Sequence, residues 1–222
     1  SKLIMEMFLM KSSKEISVSS ARFANVAFSE GSLLNSLNYR LKKKQPIGAP
    51  NDIKRYFLTA QESGELCLLS CILGQNREIF FPKLNEQSHL VPISEIVVRF
   101  LNENGYEAHI CNSENEARKL ISSLPSQGKW PCFFSKSDTT GEKSFEEFYT
   151  NKEMIDMQRF ENLGIIKSNL GYDQQKLNNF KDSINQIKTS RLWDKNLILD
   201  EFLKVIPDFK YLDLGKYLDE KM

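Results

Sequence analysis

The sequence is poor in the features that most quickly place a protein. It has no run of about 18 apolar residues that could cross a bilayer as a helix, and no charged-then-apolar-then-small leader. A cytosolic protein without a membrane partner is therefore expected. Its 30 basic and 29 acidic side chains nearly cancel to a formal charge of +1, which excludes a broad polyanion-binding surface and gives no reason to expect nucleic acid. Any anion recognition must be local. The four cysteines, Cys67, Cys71, Cys111 and Cys132, have no Cys-x-x-Cys spacing, and the two histidines, His89 and His109, fall in different predicted elements. No metal centre is expected, and the thiols read as buried and reduced. The ten glycines are scattered and never approach the Gly-x-Gly-x-x-Gly spacing of a dinucleotide-binding turn.

What is present begins with an unusual helix. From Leu3 to Met10 only Glu6 is polar, so the helix has no broad face for water and should be buried on two sides, against its own core and against a partner. Such an element rarely opens an intact domain, so the start at Ser1 reads as a cut. Strands and helices then alternate. Ile16 to Ala24 is β-prone, and Gly31 to Lys43 is a helix with Leu33, Leu34, Leu37 and Leu41 on one side. Gln45 to Pro50 reads as a loop, because its two prolines exclude helix. Tyr56 to Leu58 is a brief strand, and Thr59-Ala60-Gln61-Glu62 is a capping box for a helix to about Leu73. Ile79 to Phe81, Tyr106 to Cys111 and Trp130 to Phe134 are strands. Helices run from Pro92 to about Asn102 and from the Ser113 cap to about Leu124. The alternation indicates an α/β layer architecture. A composition change near residues 125–140 divides an α/β body, residues 1–130, from a mostly helical extension, residues 131–222.

Several of these stretches together resemble a known family. Ser1-Lys2 before an apolar helix, Ala21-Arg22-Phe23-Ala24-Asn25-Val26, Gly31-Ser32-Leu33-Leu34, Pro46 to Thr59, Gln61 to Leu66 and Phe80-Phe81-Pro82-Lys83-Leu84 are similar to the second half of an extended short-chain dehydrogenase/reductase. Within that superfamily the chain most resembles the bacterial nucleotide-sugar 4,6-dehydratases of polysaccharide and nonulosonic-acid biosynthesis. Trp130-Pro131-Cys132 and Ser137 to Lys143 extend the likeness to one subfamily.

The resemblance implies the carboxyl-terminal part of a Rossmann-like fold, with the last parallel strands and the substrate-binding subdomain. It implies NAD or NADP as cofactor, bound mainly by residues outside this chain, so the chain alone should catalyse little. In the family reaction the cofactor takes a hydride from sugar C4, the ketone acidifies the C5 proton, water leaves C6, and the hydride returns to C6. Lys2 becomes the lysine of the superfamily's Tyr-x-x-x-Lys element, able to bind the nicotinamide ribose and lower a neighbouring acid's pKa. Phe23 and Ala24 border the cofactor. Ala24 replaces a frequent glycine and Phe28 a frequent small residue.

On the substrate side Asn25, Gly31, Ser32, Leu33, Pro46, Lys54 and Arg55 are the candidates, for a UDP- or GDP-N-acetylhexosamine. Asn25 is placed for a sugar hydroxyl or diphosphate oxygen, or for an Asx turn. Gly31 and Ser32 open a helix whose N–H groups either meet a phosphate or are simply capped. Arg55 is the choice for a diphosphate clamp; without the resemblance Lys54-Arg55 is an exposed pair. Extended members of the superfamily pair through helices, so a homodimer through the first helix is expected. A non-catalytic nucleotide-sugar-binding or assembly module, and an epimerase of the same superfamily, are the alternatives.

Overall fold

The computed structural model describes residues 2–85, 89–138, 140, 146–168, 173–209 and 215. Its contacts divide the chain into two interleaved units. Ser1–Arg22, Cys67–Phe81 and Tyr149–Tyr211 form the first; Phe23–Leu66, Pro82–Phe148 and Leu212–Met222 form the second. The architecture is mixed α/β, as the alternating pattern implies.

The first unit carries helix α1 (Lys2–Ser12) and strand β1 (Ser19–Ala21). Ile4 and Met10 of α1 are buried, whereas Met5 and Leu9 are 64% and 46% exposed. One side of the expected double burial is therefore met within the chain, and the opposite side faces outward. β1 runs parallel to β6 (Glu78–Pro82), pairing Ser20 with Ile79. β10 (Met154–Asp156) and β11 (Leu163–Lys167) complete this sheet in the order β1-β6-β11-β10, the last two antiparallel. These two short strands fall within the segment after residue 131 expected to be mostly helical. Ile155, Ile165 and Ile166 provide the β-branched runs, and Ile165 and Ile166 are fully buried. The helical part follows, as α6 (Gln174–Ser190) and α7 (Lys195–Val205).

A half-buried ion-pair triad ties this unit together. The Arg22 guanidinium forks onto Glu6 (Nε to Oε1 2.8 Å, Nη2 to Oε2 2.7 Å) and onto Glu153 (Nη2 to Oε1 2.7 Å, Nη1 to Oε2 3.1 Å). Burial alone would lower the Arg22 pKa, but the bonds to both carboxylates outweigh it and raise the pKa. Burial pushes the Glu153 carboxyl upward, yet Arg22 and the Thr150 N–H hold it below the usual carboxylate range.

The second unit contains a parallel sheet in the order β3-β9-β8: β3 (Ile47–Pro50), β9 (Lys129–Ser135) and β8 (Glu107–Ile110). Residues 47–50, expected to be loop, instead form an edge strand, with Ile47 opposite Cys132 and Pro50 opposite Ser135. Prolines are tolerated because Pro46 precedes the strand and Pro50 ends it. α2 (Leu33–Lys42), α4 (Ile93–Glu103) and α5 (Glu114–Leu120) belong to the same unit. Leu34 and Leu37 of α2, Val97 and Leu101 of α4, Ile47, and Trp130 pack into one core. Burial of each large side chain there contributes about 1.5–3 kcal/mol. Trp130 Nε1 donates to the Gln45 carbonyl at 3.0 Å, which satisfies the one polar atom of its ring.

Two short pairings finish this unit. β2 (Asn25–Val26) is parallel to β5 (Phe57–Leu58), and β4 (Lys54–Arg55) is antiparallel to β7 (Val91–Pro92). The capping box is formed as read: Thr59 N donates to Glu62 Oε2 at 2.7 Å, and Glu62 N to Thr59 Oγ1 at 3.1 Å. It opens α3 (Ala60–Leu73), which continues into the first unit. Cys111 and Cys132 are buried, but Cys67 and Cys71 on α3 are exposed, which corrects the expectation of four buried thiols. α3 is apolar on nearly every side, so its pattern could not show which face is covered.

Candidate functional site

The second unit contains a cleft of about 550 Å³. It opens where parallel strands end: Val26 at the end of β2, Pro50 of β3, and Ser135 of β9 followed by Lys136 and Ser137. Ligands of parallel α/β sheets gather at this edge, because the loops that leave it are free to vary while the strands hold them in place.

One wall is the start of α2. Ser29 Oγ donates to the Val26 carbonyl at 2.9 Å, and Ser32 N donates to the Ser29 carbonyl at 3.0 Å. Phe28 and Gly31 both adopt positive φ, 58° and 73°, so the turn reverses tightly into the helix. The Ser32 hydroxyl accepts from Asn35 N at 3.2 Å. The capping alternative for Ser32 is thus realised, and the first-turn N–H groups of Leu33 and Leu34 stay directed along the helix axis. Ser32, Ser36 and Arg40 follow at i, i+4 and i+8 and present a polar stripe to the cleft.

The opposite wall carries Arg55 and Phe57, with Phe133 and Lys136 from the end of β9. Arg55 Nη1 donates to the Lys54 carbonyl at 2.9 Å, and its Nε lies 3.9 Å from Glu146 Oε1. Glu146 also accepts a bond from Asn25 Nδ2 at 3.1 Å, while the same amide reaches the Tyr56 carbonyl at 3.3 Å. A carboxylate is therefore suspended between Asn25 and Arg55. Arg40 Nη1 donates to the Pro46 carbonyl at 3.3 Å. Burial, reinforced by Arg118, lowers the Arg40 pKa. Three cations, Arg40, Arg55 and Lys136, meet two anions, Glu30 and Glu114, around a partly aromatic floor.

Of the residues singled out in the sequence, Asn25, Gly31, Ser32, Leu33 and Arg55 line this cleft together. Pro46 is buried and touches it only through its carbonyl on Arg40. Lys54 is exposed in β4 and is not among the lining residues. Ala24 is buried with Tyr56 and Leu58, and Phe23 is 44% exposed. Lys2 is exposed at the start of α1, in the first unit. Among the described residues no glycine cluster offers a turn for a dinucleotide's pyrophosphate. Arg40, Lys136 and Glu146 were not read from the sequence; the spacing of Ser32, Ser36 and Arg40 was the available signal for the first. Ser1, Thr139 and residues 141–145, which include Lys143 of the Ser137 to Lys143 stretch, lie outside the described residues.

Comparison with known proteins agrees with the superfamily resemblance at a coarse level. An uncharacterized membrane protein of Methanocaldococcus jannaschii is 25% identical over 205 residues, which are 92% of this chain and 53% of that protein. The structure of Pen from Bacillus thuringiensis matches with a TM-score of 0.54 at 18% identity, over 78% of this chain and 48% of that one. The second likeness concerns the fold alone. The chain spans about half the length of both. The archaeal relative corrects the cytosolic expectation, since that protein is named for a membrane. Among the described residues no helix is long and apolar enough to cross one. The family of polysaccharide biosynthesis proteins matches residues 1–168, three quarters of the sequence. On that match, this chain belongs to the polysaccharide biosynthesis protein family.

Proposed function

We propose that this chain supplies the sugar-nucleotide cradle of an NAD(P)-dependent nucleotide-sugar 4,6-dehydratase acting on UDP- or GDP-N-acetylglucosamine in bacterial surface glycan synthesis. The observation that carries the reading is the cleft itself. Arg40 from the last turn of α2, with Arg55 and Lys136, supplies cationic donors to the cleft, and the Glu146 carboxylate between Asn25 and Arg55 supports an anion at that point. Phe57, Phe133 and the β3 backbone offer a flat, partly apolar border for a base and ribose. A diphosphate would exchange Glu146 for its own oxygens on the same two side chains.

The remaining parts follow from the family resemblance. The Rossmann-like dinucleotide core would lie in the length of the relatives that this chain does not cover. When bound, NAD(P) would supply the transient oxidation at sugar C4, with Lys2, Phe23 and the Ala24 backbone at its nicotinamide end. The protein groups then hold the sugar, orient it and manage its protons. The outward apolar side chains Met5 and Leu9 of α1, with Leu68 and Ile72 of α3, support a homodimer through these helices. Light scattering of the complete parent should report two copies, and Met5→Glu with Leu9→Glu should separate them.

The decisive experiment incubates the complete parent with each nucleotide sugar and follows the product mass. Loss of one water is expected. An isomeric product would replace this reading by an epimerase, and binding without turnover would replace it by a non-catalytic module.

A further inference from the structure

The α6–α7 hairpin in the first unit has an unusual tip. Its two helices meet through Phe180 and Phe202, edge to face with centroids 5.4 Å apart, and Phe202 also meets Phe209 at 6.1 Å. The hairpin thus has its own aromatic seam. The connection is Arg191-Leu192-Trp193-Asp194, and it turns its largest apolar groups outward: Leu192 is 82% exposed and Trp193 66%. Arg191 takes a left-handed conformation at φ 57°, which costs a non-glycine residue about 1 kcal/mol. That backbone choice ends α6 abruptly and places the two following side chains at the apex.

The surrounding charge is one-sided. Within residues 188–195, Lys188, Arg191 and Lys195 flank the pair, while the one anion of that stretch, Asp194, is engaged as the α7 cap, its Oδ1 accepting from Leu197 N at 2.8 Å. Leu197, 43% exposed, extends the apolar surface one turn into α7. An apolar apex flanked by cations has the right chemistry for a deformable anionic surface. Tryptophan settles at headgroup depth with its ring in the apolar layer and its N–H in water, and nearby lysine and arginine pair with anionic lipid.

We propose that the tip of the α6–α7 hairpin docks this chain peripherally on an anionic lipid bilayer, with Leu192 and Trp193 inserted at headgroup level and Lys188, Arg191 and Lys195 on the lipid phosphates. The proposal does not rest on the sugar-nucleotide reading, and failure of the dehydration assay would leave it intact.

The test is vesicle binding by the chain, read by co-sedimentation and by tryptophan emission. Trp130, 2% exposed in the core of the other unit, already sits in an apolar site, so any blue shift reports Trp193. With two net positive charges at the surface, vesicles containing phosphatidylserine should bind roughly tenfold or more tightly than phosphatidylcholine vesicles, and added salt should erase the difference. Leu192→Ser with Trp193→Ser should abolish binding; both side chains are exposed, so the circular dichroism should be unchanged. Absence of binding to the anionic vesicles, binding unchanged in the double variant, or emission without a blue shift would each overturn the proposal. So would loss of self-association in the double variant without vesicles, which would make the tip a protein contact.

Discussion

Arg22 offers the sharpest test of how the first unit is held. Its guanidinium is the sole cation described between the Glu6 and Glu153 carboxylates, whose side chains are only 14% and 16% exposed. Arg22→Met keeps much of the stem's volume but leaves two partly buried carboxylates facing each other. Stranding buried charge in this way costs about 3–5 kcal/mol, so urea unfolding at pH 7 should show a loss of about 4 kcal/mol. The pH dependence separates charge from packing. In the natural chain the Glu153 carboxyl is held down, so its contribution is present above the unfolded carboxyl pKa and is lost as pH falls through the lower folded value. In the variant the Glu153 carboxyl loses its cation, and its folded pKa should rise above the unfolded one. Acid then stabilises the variant while it weakens the parent. The difference should shrink by more than 1 kcal/mol between pH 7 and pH 4, at about 1.4 kcal/mol per unit of pKa shift. A loss below about 1 kcal/mol, or one that does not change with pH, would refute the ionic account.

Three further outcomes follow from other parts of the molecule. A Cβ at Gly164 would lie 2.2 Å from Phe81 Cζ, and that ring is 1% exposed and packed 5.1 Å from Tyr149. Gly164→Ala should therefore lower stability by about 1–3 kcal/mol in thermal unfolding. A thiol reagent at pH 8 should modify Cys67 and Cys71 quickly and reach Cys111 and Cys132 only on unfolding, because burial and the neighbouring Cys111 push Cys132 up to about 12. In calorimetric titration with UDP-N-acetylglucosamine, Arg55→Ala should weaken binding roughly tenfold, since a charge-assisted bond contributes about 1.5–3 kcal/mol. Glu146→Gln should strengthen it by removing the competing carboxylate; equal affinity in both variants would mean that the sugar nucleotide binds elsewhere.

Which parts of this molecule the sequence could disclose depends on whether the deciding interaction is local. Thr59 and Glu62 are three residues apart, and their reciprocal bonds need only the first turn of α3, so the pattern itself was sufficient. The same holds for Ser113, whose hydroxyl accepts from Glu116 N at 3.1 Å. Residues 46–50 mislead because two prolines usually mean loop. Their strand exists only through β9, more than 80 residues away, and a parallel partner that distant leaves no local mark. The late strands β10 and β11 were hidden for a related reason, being too short for periodicity to register. The cleft divides along the same line. Asn25, Gly31, Ser32 and Arg55 could be singled out by motif, whereas Glu146 reaches Asn25 across 121 positions, and Lys136 enters the cleft only because β9 ends beside β3. Lys54 shows the converse. Charge and adjacency made it a candidate beside Arg55, but side chains alternate along a strand, and only Arg55 lines the cleft. A pair of neighbouring cations at a strand edge should therefore be read as one candidate ligand and one solvated charge, with the choice left to the register.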